Sequence, residues 1–334
     1  MLKEIKLKPF FILILLVSIF LVSSVGYAAS DKIIIRVGGV FPESHPVGQG
    51  LDIFKEKLEA AAPNVEVRIF HNSTLGSERV MAEGVKTGEL EMLSSGSPGL
   101  GVFVPVTDIL ELPYLYETKE DALKVWDKLI PILNVRTLPQ NIRLLGAFDE
   151  GTRSIISTKP IRNINDLRNL KLRIPETPLY IGMVNALGAD PIAVAFPEIY
   201  TALQTGVVQG MEGSTATIWD SKFYEPCKYL SLTEHIRCAQ FLFINNEFYD
   251  KLPIDIKESL LIAATEAFEE QRKISIQAEK ECLQKISEKG IEIIEVQDKK
   301  PFIEAVQDSN MKYAEKFGNE GNKLLNLMKA LLTK

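Results

Sequence analysis

The stretch Ile33-Ile-Ile-Arg-Val-Gly-Gly39 is a short apolar run of the kind that forms a buried strand. A helix-like stretch follows near residues 48–62, and a second strand-like run, Val65-Glu-Val-Arg-Ile-Phe70, comes after it. A helix from about residue 77 to 87 and a third strand, Leu90-Glu-Met-Leu-Ser94, continue the series. Strands that alternate with helices in this way predict an α/β domain with a largely parallel sheet.

A second series of the same kind begins near Gly151. Residues 239–244 read as a strand that fits the sheet of the first domain, and residues 252–290 carry one continuous helical pattern. That pattern exceeds the ~25 residues expected of a helix inside one globular domain, so we expect it to connect two domains. The remaining elements of the second series are strands at 153–156, 170–174 and 190–194 and helices at 178–187 and 197–204.

The N-terminus has the pattern of an export signal. Three lysines precede an apolar run from Phe10 to Val22, and small residues ending in Ala28-Ala29 follow it. The alternative is an uncleaved membrane anchor, but the run is shorter than the ~20 residues of a spanning helix. We therefore expect a signal peptide at residues 1–28 and a mature chain in the periplasm.

Composition limits the partners and the redox chemistry. The formal net charge is −6 over 334 residues and becomes −8 without the signal segment, which argues against nucleic acid and anionic lipid as partners. Three cysteines are too few for a disulfide scaffold. A bridge between Cys227 and Cys238 and a pair of buried free thiols both remain open.

The sequence lacks the spacings on which most catalytic and metal sites depend. The three histidines, His45, His71 and His235, are far apart, and neither a Cys-x-x-Cys pair nor a Gly-x-Ser-x-Gly elbow occurs. Residues 96–101 are glycine-rich, but a proline interrupts them, and we expect a loop. We predict no catalytic residue, no metal and no cofactor, so a secreted hydrolase is the less favoured class.

Arg173 is the residue that first indicates a ligand. It lies near the end of the apolar run Asn169-Leu-Lys-Leu-Arg-Ile-Pro175, and arginine is rarely buried unless it is paired. Its partner is either an acid of this chain, in a structural salt bridge, or an anionic ligand. A guanidinium matches the two oxygens of a carboxylate, so a carboxylate is the natural ligand.

Several motifs in a fixed order resemble the substrate-binding proteins of tripartite ATP-independent periplasmic (TRAP) transporters, the DctP family. The resemblance covers nearly all of the mature chain. The motifs are Asn163-Ile-Asn-Asp-Leu-Arg-Asn-Leu-Lys-Leu-Arg-Ile-Pro175, Phe196-Pro-Glu-Ile-Tyr-Thr-Ala-Leu-Gln-Thr-Gly-Val-Val208, Gly210-Met-Glu212 and Lys222-Phe-Tyr-Glu225, together with Leu75-Gly-Ser-Glu-Arg79, Leu112-Pro-Tyr114 and Gly151-Thr-Arg153.

The resemblance implies a two-lobed periplasmic binding protein, α/β with mixed sheets in each lobe and a long helix spanning both. Lobe I would comprise residues 31–150 plus 239–278, and lobe II residues 151–238 plus 279–334. Such a protein closes over a sugar acid, a dicarboxylate or a hydroxy or keto acid. It delivers the acid to the small and large membrane subunits of a TRAP permease, driven by an ion gradient. A receptor of the same fold that feeds a sensor kinase is the alternative.

The resemblance also implies binding roles. Arg173 matches the family arginine that pairs with the substrate carboxylate. Arg153 matches a second family arginine, although an ion pair with Asp149 or Glu150 is an equal alternative. Phe196 matches an aromatic residue that lines the cleft, or else is a core residue. Glu78 matches an acid that can bind substrate hydroxyls, or else only favours a helix dipole.

The chain departs from the family pattern at Gln209-Gly-Met-Glu-Gly-Ser214, where relatives usually read Asp-Gly-x-Glu-Asn-Pro. The family asparagine that commonly contacts the carboxylate falls at Gly213, which has no side chain. Either Ser214 or a water replaces that hydrogen bond, or the pocket has exchanged polarity for volume.

Overall fold

The computed structural model describes residues 32–332, so the predicted signal segment at residues 1–28 lies outside the described part. Within that range nine strands form one sheet in the order β2-β1-β3-β8-β4-β7-β5-β6, and β9 pairs with β8. The strands are β1 (Ile33–Gly39), β2 (Val65–Phe70), β3 (Met92–Ser95), β4 (Ile142–Ser157), β5 (Lys171–Ile174), β6 (Asp190–Ala193), β7 (Gly210–Ser214), β8 (Tyr229–Asn245) and β9 (Glu292–Glu295).

The helices cover the sheet and connect its strands, which is the arrangement that the alternating pattern predicts. Short 3₁₀ turns occur between them, including Pro105–Glu111 and Phe196–Glu198. The α-helices of the described range are α1 (Pro46–Ala61), α2 (Glu78–Thr87), α3 (Ser97–Leu100), α4 (Lys119–Thr137), α5 (Pro178–Ala186), α6 (Ile199–Gln204), α7 (Thr215–Asp220), α8 (Asn246–Lys251), α9 (Ile254–Glu288), α10 (Lys300–Glu315) and α11 (Gly318–Leu332).

Two long antiparallel strands, β4 and β8, carry the sheet from one group of strands to the other. Strand β3 pairs with the C-terminal part of β8, and β7 pairs with the C-terminal part of β4. Several other pairs are parallel, among them β1 with β3 and β5 with β6 and β7. The sheet is therefore mixed, and the predicted α/β class is confirmed.

The pairing of β4 with β8 is irregular at its centre. The register shifts between Asp149 and Gly151, and Gly151 has a φ of 109°, a backbone conformation that residues other than glycine rarely adopt. Gln271 of α9 binds the backbone at this point, because its Oε1 accepts from Asp149 N at 2.9 Å and its Nε2 donates to Asp149 O at 2.8 Å. The long helix thus fixes the backbone where β4 bends.

Helix α9 confirms the predicted long helical pattern. It contacts α1 near its middle, where Lys57 Nζ lies 2.8 Å from Glu270 Oε1, and α7 nearer its end, where Thr215 Oγ1 donates to Glu279 O at 3.1 Å. The predicted loop at residues 96–101 is wrong in part, because Ser97–Leu100 form a short helix. Glycine and proline at its start fit a first turn as well as a loop.

The three cysteines are free thiols and all are buried. Burial raises the pKa of Cys227 to about 12. Of the two alternatives for Cys227 and Cys238, the structure therefore has the pair of buried free thiols. His235 is also buried, as a packed histidine, and its Nδ1 lies 2.8 Å from Thr233 Oγ1.

Asp108 is a buried acid that connects the turn Pro105–Glu111 to α10. Its Oδ2 accepts a hydrogen bond of 2.7 Å from Tyr313 Oη, and the residue is 1% exposed. Burial raises the pKa of Asp108 to about 8, while the hydrogen bond from Tyr313 opposes the shift. The folded protein consequently retains a proton here that the unfolded chain releases near pH 4.

This proton makes stability fall as pH rises from about 4 to about 8. The contribution of Asp108 to the free energy of unfolding is complete below the pKa of the unfolded chain. It is lost as the pH rises through the pKa of the folded protein. We expect Asp108→Asn to gain about 3 kcal/mol over the wild type between pH 5.5 and pH 9, because the wild type loses about 1.4 kcal/mol for each pH unit up to the folded pKa. Urea denaturation of both proteins at the two pH values measures this, and an equal difference at both would contradict it.

Gly48 lets the loop before α1 approach the helix. A Cβ at this position would lie 2.1 Å from Pro42 O, which is backbone and cannot move aside. We expect Gly48→Ala to destabilise the fold by about 2 kcal/mol or more. Gly84→Ala is the matched control, because its Cβ would meet Leu90 Cβ at 3.5 Å, an ordinary contact. Thermal unfolding should show a loss for the first variant and none for the second.

Candidate functional site: a cavity with an unpaired arginine

A small cavity lies between the carboxyl end of β5, the middle of β4 and β8, and the first turn of α2. Its volume is about 30 Å³, which is room for one or two water molecules, so the residues around it would have to move apart to admit a larger molecule. The polar and aromatic residues that line it are Phe41, Glu78, Glu111, Glu150, Arg153, Arg173, Tyr180, Phe196, Thr217 and Gln240. Four of the six predicted site residues meet in this cavity.

Arg173 is held by β5, which has β6 on one side and β7 on the other. The residue is only 3% exposed, and its Nε donates to Val194 O at 2.9 Å. Among residues 32–332, no carboxylate forms an ion pair with it, and its two Nη groups donate no hydrogen bond. Burial lowers the pKa of Arg173 to about 10, so the group is still a cation at neutral pH.

Arg153 lines the same cavity but is fully paired. Its Nε and Nη2 donate to the two carboxylate oxygens of Glu212 at 2.5 and 2.8 Å, and its Nη1 donates to both oxygens of Glu150 at 3.0 and 3.1 Å. Burial raises the pKa of Glu212, but the charge and hydrogen bonds of Arg153 outweigh burial and hold this pKa at about 2. The ion pair with Glu150 is present, whereas Asp149 pairs with Lys119 instead.

Glu78 and Phe196 line the cavity beside Arg173. Glu78 is the first residue of α2, and its Oε2 accepts a short hydrogen bond from Ser95 Oγ. Burial raises the pKa of Glu78. Phe196 is half-buried and makes edge contacts with Phe41 at 5.4 Å and Phe223 at 5.7 Å between ring centroids.

Gly213 and Ser214 lie behind the cavity, near the end of β7. The Ser214 hydroxyl caps α7, accepting from Thr217 N at 3.1 Å, and neither residue is among those that line the cavity. A Cβ at Gly213 would nevertheless point to Met211 and Thr217, at 3.1 and 3.7 Å, and both of these are lining residues. A longer side chain at 213 would therefore approach the cavity wall.

The sequence does not single out five of the polar and aromatic lining residues, Phe41, Glu111, Tyr180, Thr217 and Gln240, and it offers Glu150 only as an alternative ion-pair partner of Arg153. Glu111 had a usable signal, since it interrupts the apolar run Ile109-Leu-Glu-Leu112 just as Arg173 interrupts its own strand. The others had none, because their neighbours in sequence do not distinguish them from ordinary helix and strand residues.

No group of three or more His, Cys, Asp or Glu side chains between residues 32 and 332 is placed to hold a metal ion. Among the same residues, no helix has both the length and the apolar character needed to cross a bilayer.

Comparison with known proteins gives a consistent result. Residues 37–316 match the family model described as bacterial extracellular solute-binding protein, family 7. The 2,3-diketo-L-gulonate-binding periplasmic protein YiaO of Escherichia coli is 30% identical over 257 residues, covering 76% of this chain and 77% of that protein.

Solved structures agree. A TRAP periplasmic solute-binding protein from Desulfovibrio salexigens with bound orotic acid has a TM-score of 0.87 and 28% identity, over 90% of this chain and 99% of its own. A second, from Xanthobacter autotrophicus with bound β-D-galacturonate, has a TM-score of 0.85 and 26% identity, over 89% and 99%. The chain therefore belongs to the bacterial extracellular solute-binding proteins of family 7, the DctP family of two-lobed TRAP-transporter solute-binding proteins.

Proposed function

We propose that this protein captures a small organic carboxylate with Arg173 in the periplasm and delivers it to the small and large membrane subunits of a TRAP permease. The observation that carries the proposal is the pair of free Nη groups on a buried guanidinium that faces a cavity. A buried charge without a partner is costly, and a bound carboxylate would supply the partner. The protein acts by binding alone, without catalysis.

The other predicted site residues have different roles in this proposal. Phe196 and Glu78 border the ligand on either side of Arg173. Arg153 acts mainly by fixing Glu150 and Glu212, because its nitrogens already have acceptors. Gly213 and Ser214 contribute space and helix capping, so any hydrogen bond that the family asparagine would make comes from another group or from water.

We also propose that the two predicted lobes, 31–150 plus 239–278 and 151–238 plus 279–334, close over the ligand. Two hydrogen-bond contacts join them near the lining residue Thr217. Ser44 Oγ donates to Asp220 Oδ1 at 2.9 Å, and His45 Nε2 lies 3.2 Å from Thr217 Oγ1. Single hydrogen bonds of this kind contribute little net free energy and can break and reform, as hinge closure requires.

The sensor-kinase alternative has no support from the relatives described above, whose names are those of periplasmic and TRAP solute-binding proteins. The acid itself is not the same in those relatives, which bind a diketo sugar acid, a uronate and orotate. These acids share a carboxylate, which is the group that we propose this chain binds.

The proposal predicts opposite behaviour for two matched arginine variants. Arg173→Met should leave the ligand-free protein at least as stable as the wild type, because it removes a buried charge that has no partner, but should abolish stabilisation by ligand. Arg153→Met should lose about 3–5 kcal/mol without ligand, because Glu150 and Glu212 would remain buried without their cation.

Thermal unfolding of the mature protein against a panel of acids measures both effects. The panel comprises D-galacturonate, 2,3-diketo-L-gulonate, orotate, D-erythronate and succinate. An acid at 100 times its dissociation constant should stabilise the wild type by about 2.7 kcal/mol, a shift of a few degrees. If the same acid stabilises Arg173→Met equally, Arg173 is not the carboxylate anchor.

A further inference from the structure

One wall of the cavity, formed by Glu111 and Gln240, offers hydrogen-bond acceptors, and among residues 32–332 neither side chain takes part in an ion pair. Both residues face the space above Gly96: a Cβ there would lie 3.5 Å from Glu111 Oε1 and 3.2 Å from Gln240 Nε2. We call these two side chains the acceptor wall. The buried polar groups of these two side chains are not explained by the helix or strand pattern of the chain, which indicates that they contact a ligand.

Glu111 is 1% exposed and is surrounded by neutral donors. Its Oε2 accepts from Ser97 Oγ at 2.5 Å and from Tyr180 Oη at 3.3 Å, while its Oε1 receives only the weak Sγ donor of Cys238 at 3.4 Å. No lysine, arginine or histidine among residues 32–332 forms an ion pair with it. A carboxylate can accept about four hydrogen bonds, so Oε1 has capacity for a further donor.

Gln240 presents a second acceptor. Its Nε2 donates to Glu150 Oε2 at 3.4 Å, and its Oε1 is buried without a partner in the described part of the chain. The amide cannot turn around, because Glu150, held ionised by Arg153, only accepts hydrogen bonds. The oxygen therefore keeps no donor among residues 32–332, which is unfavourable for a buried acceptor, and it belongs to a residue that lines the cavity.

The charges of the cavity show what the wall can accept. Arg153 is neutralised by Glu150 and Glu212, so Arg173 is the cation left for a ligand. The carboxylate of a ligand pairs with Arg173. A second carboxylate in so small a cavity would meet Glu78 or Glu111 with no cation to offset it, and like charges in contact cost several kcal/mol.

We propose that Glu111 and Gln240 determine specificity, by accepting hydrogen bonds from hydroxyl groups of a monocarboxylate and by rejecting dicarboxylates. This inference rests on the proposed function, since it takes Arg173 to hold the ligand carboxylate. It assigns the protein to hydroxylated monocarboxylates such as aldonates and uronates, within the wider range of acids left open above.

Matched pairs of acids that differ only at the far end test it. D-Erythronate and meso-tartrate form one pair, and D-galactonate and galactarate form another, with a terminal CH₂OH replaced by a carboxylate in each. D-Galacturonate and 4-aminobutyrate complete the panel. Isothermal titration at pH 8.5 keeps Glu111 ionised, because burial raises the pKa of its carboxyl to about 7.

We expect the wild type to bind at least one hydroxy acid about 100-fold more tightly than its matched diacid, a difference of about 2.7 kcal/mol. In Glu111→Gln this ratio should fall about tenfold or more, because the repulsive charge is gone and the shape is kept. Glu225→Gln is the control for net charge: that carboxylate is distant, accepts from Tyr200 Oη and should leave the ratio unchanged.

Gln240→Met provides a second variant in case Glu111→Gln folds poorly. It should weaken hydroxy-acid binding about tenfold through loss of one acceptor, with less effect on the diacid. A diacid that binds as tightly as its hydroxy partner would overturn the inference and leave the proposed function intact. Binding of 4-aminobutyrate but of no hydroxy acid would overturn the hydroxyl assignment. Failure of every acid on this panel and the preceding one would overturn the proposed function itself.

Discussion

The buried ion cluster of Arg153, Glu150 and Glu212 is the constraint on which the rest of the site depends. It lies where β4, β7 and β8 meet, since Arg153 pairs with Ser214 of β7 and with Ile236 of β8. A buried ion cluster is a weak source of net stability, but it tolerates only one geometry. Because each guanidinium nitrogen has an acceptor, the cluster fixes the position of the strands and leaves the neighbouring Arg173 as the group without a partner.

The two arginines show how identical side chains acquire different functions from their surroundings. Arg153 lies between two carboxylates that its own fold supplies, and it therefore has little capacity for a ligand. Arg173 lies at the end of a parallel strand, where only a backbone carbonyl reaches it. The carboxyl ends of strands are where ligands bind in α/β sheets, and a guanidinium without an ion-pair partner at that edge is the basis of the proposed selectivity for anions.

Much of this arrangement follows from the sequence, and what does not follow has identifiable causes. Arg173 stands out because an arginine in a short apolar strand requires an anionic partner. The role of Arg153 could not be decided, because Glu150 is three residues away but Glu212 is brought to it only by the pairing of β4 with β7. The long strands β4 and β8 were predicted only in part, since a bend at Gly151 and polar residues of β8 interrupt the period of two.

The position of the acceptor wall is the least predictable feature, and it also explains why an anion site contains so many acids. Glu111 and Gln240 lie in a 3₁₀ turn and a strand, 129 residues apart in the chain. Once Arg153 is counted with Glu150 and Glu212, the acids that remain are Glu78 and Glu111, opposite one free arginine. When ionised, each of these carboxylates accepts hydrogen bonds from hydroxyl groups and repels a second negative charge. Under the proposed function the acids therefore do not oppose anion binding: they would limit the ligand to one carboxylate, at Arg173, and require the rest of it to donate hydrogen bonds.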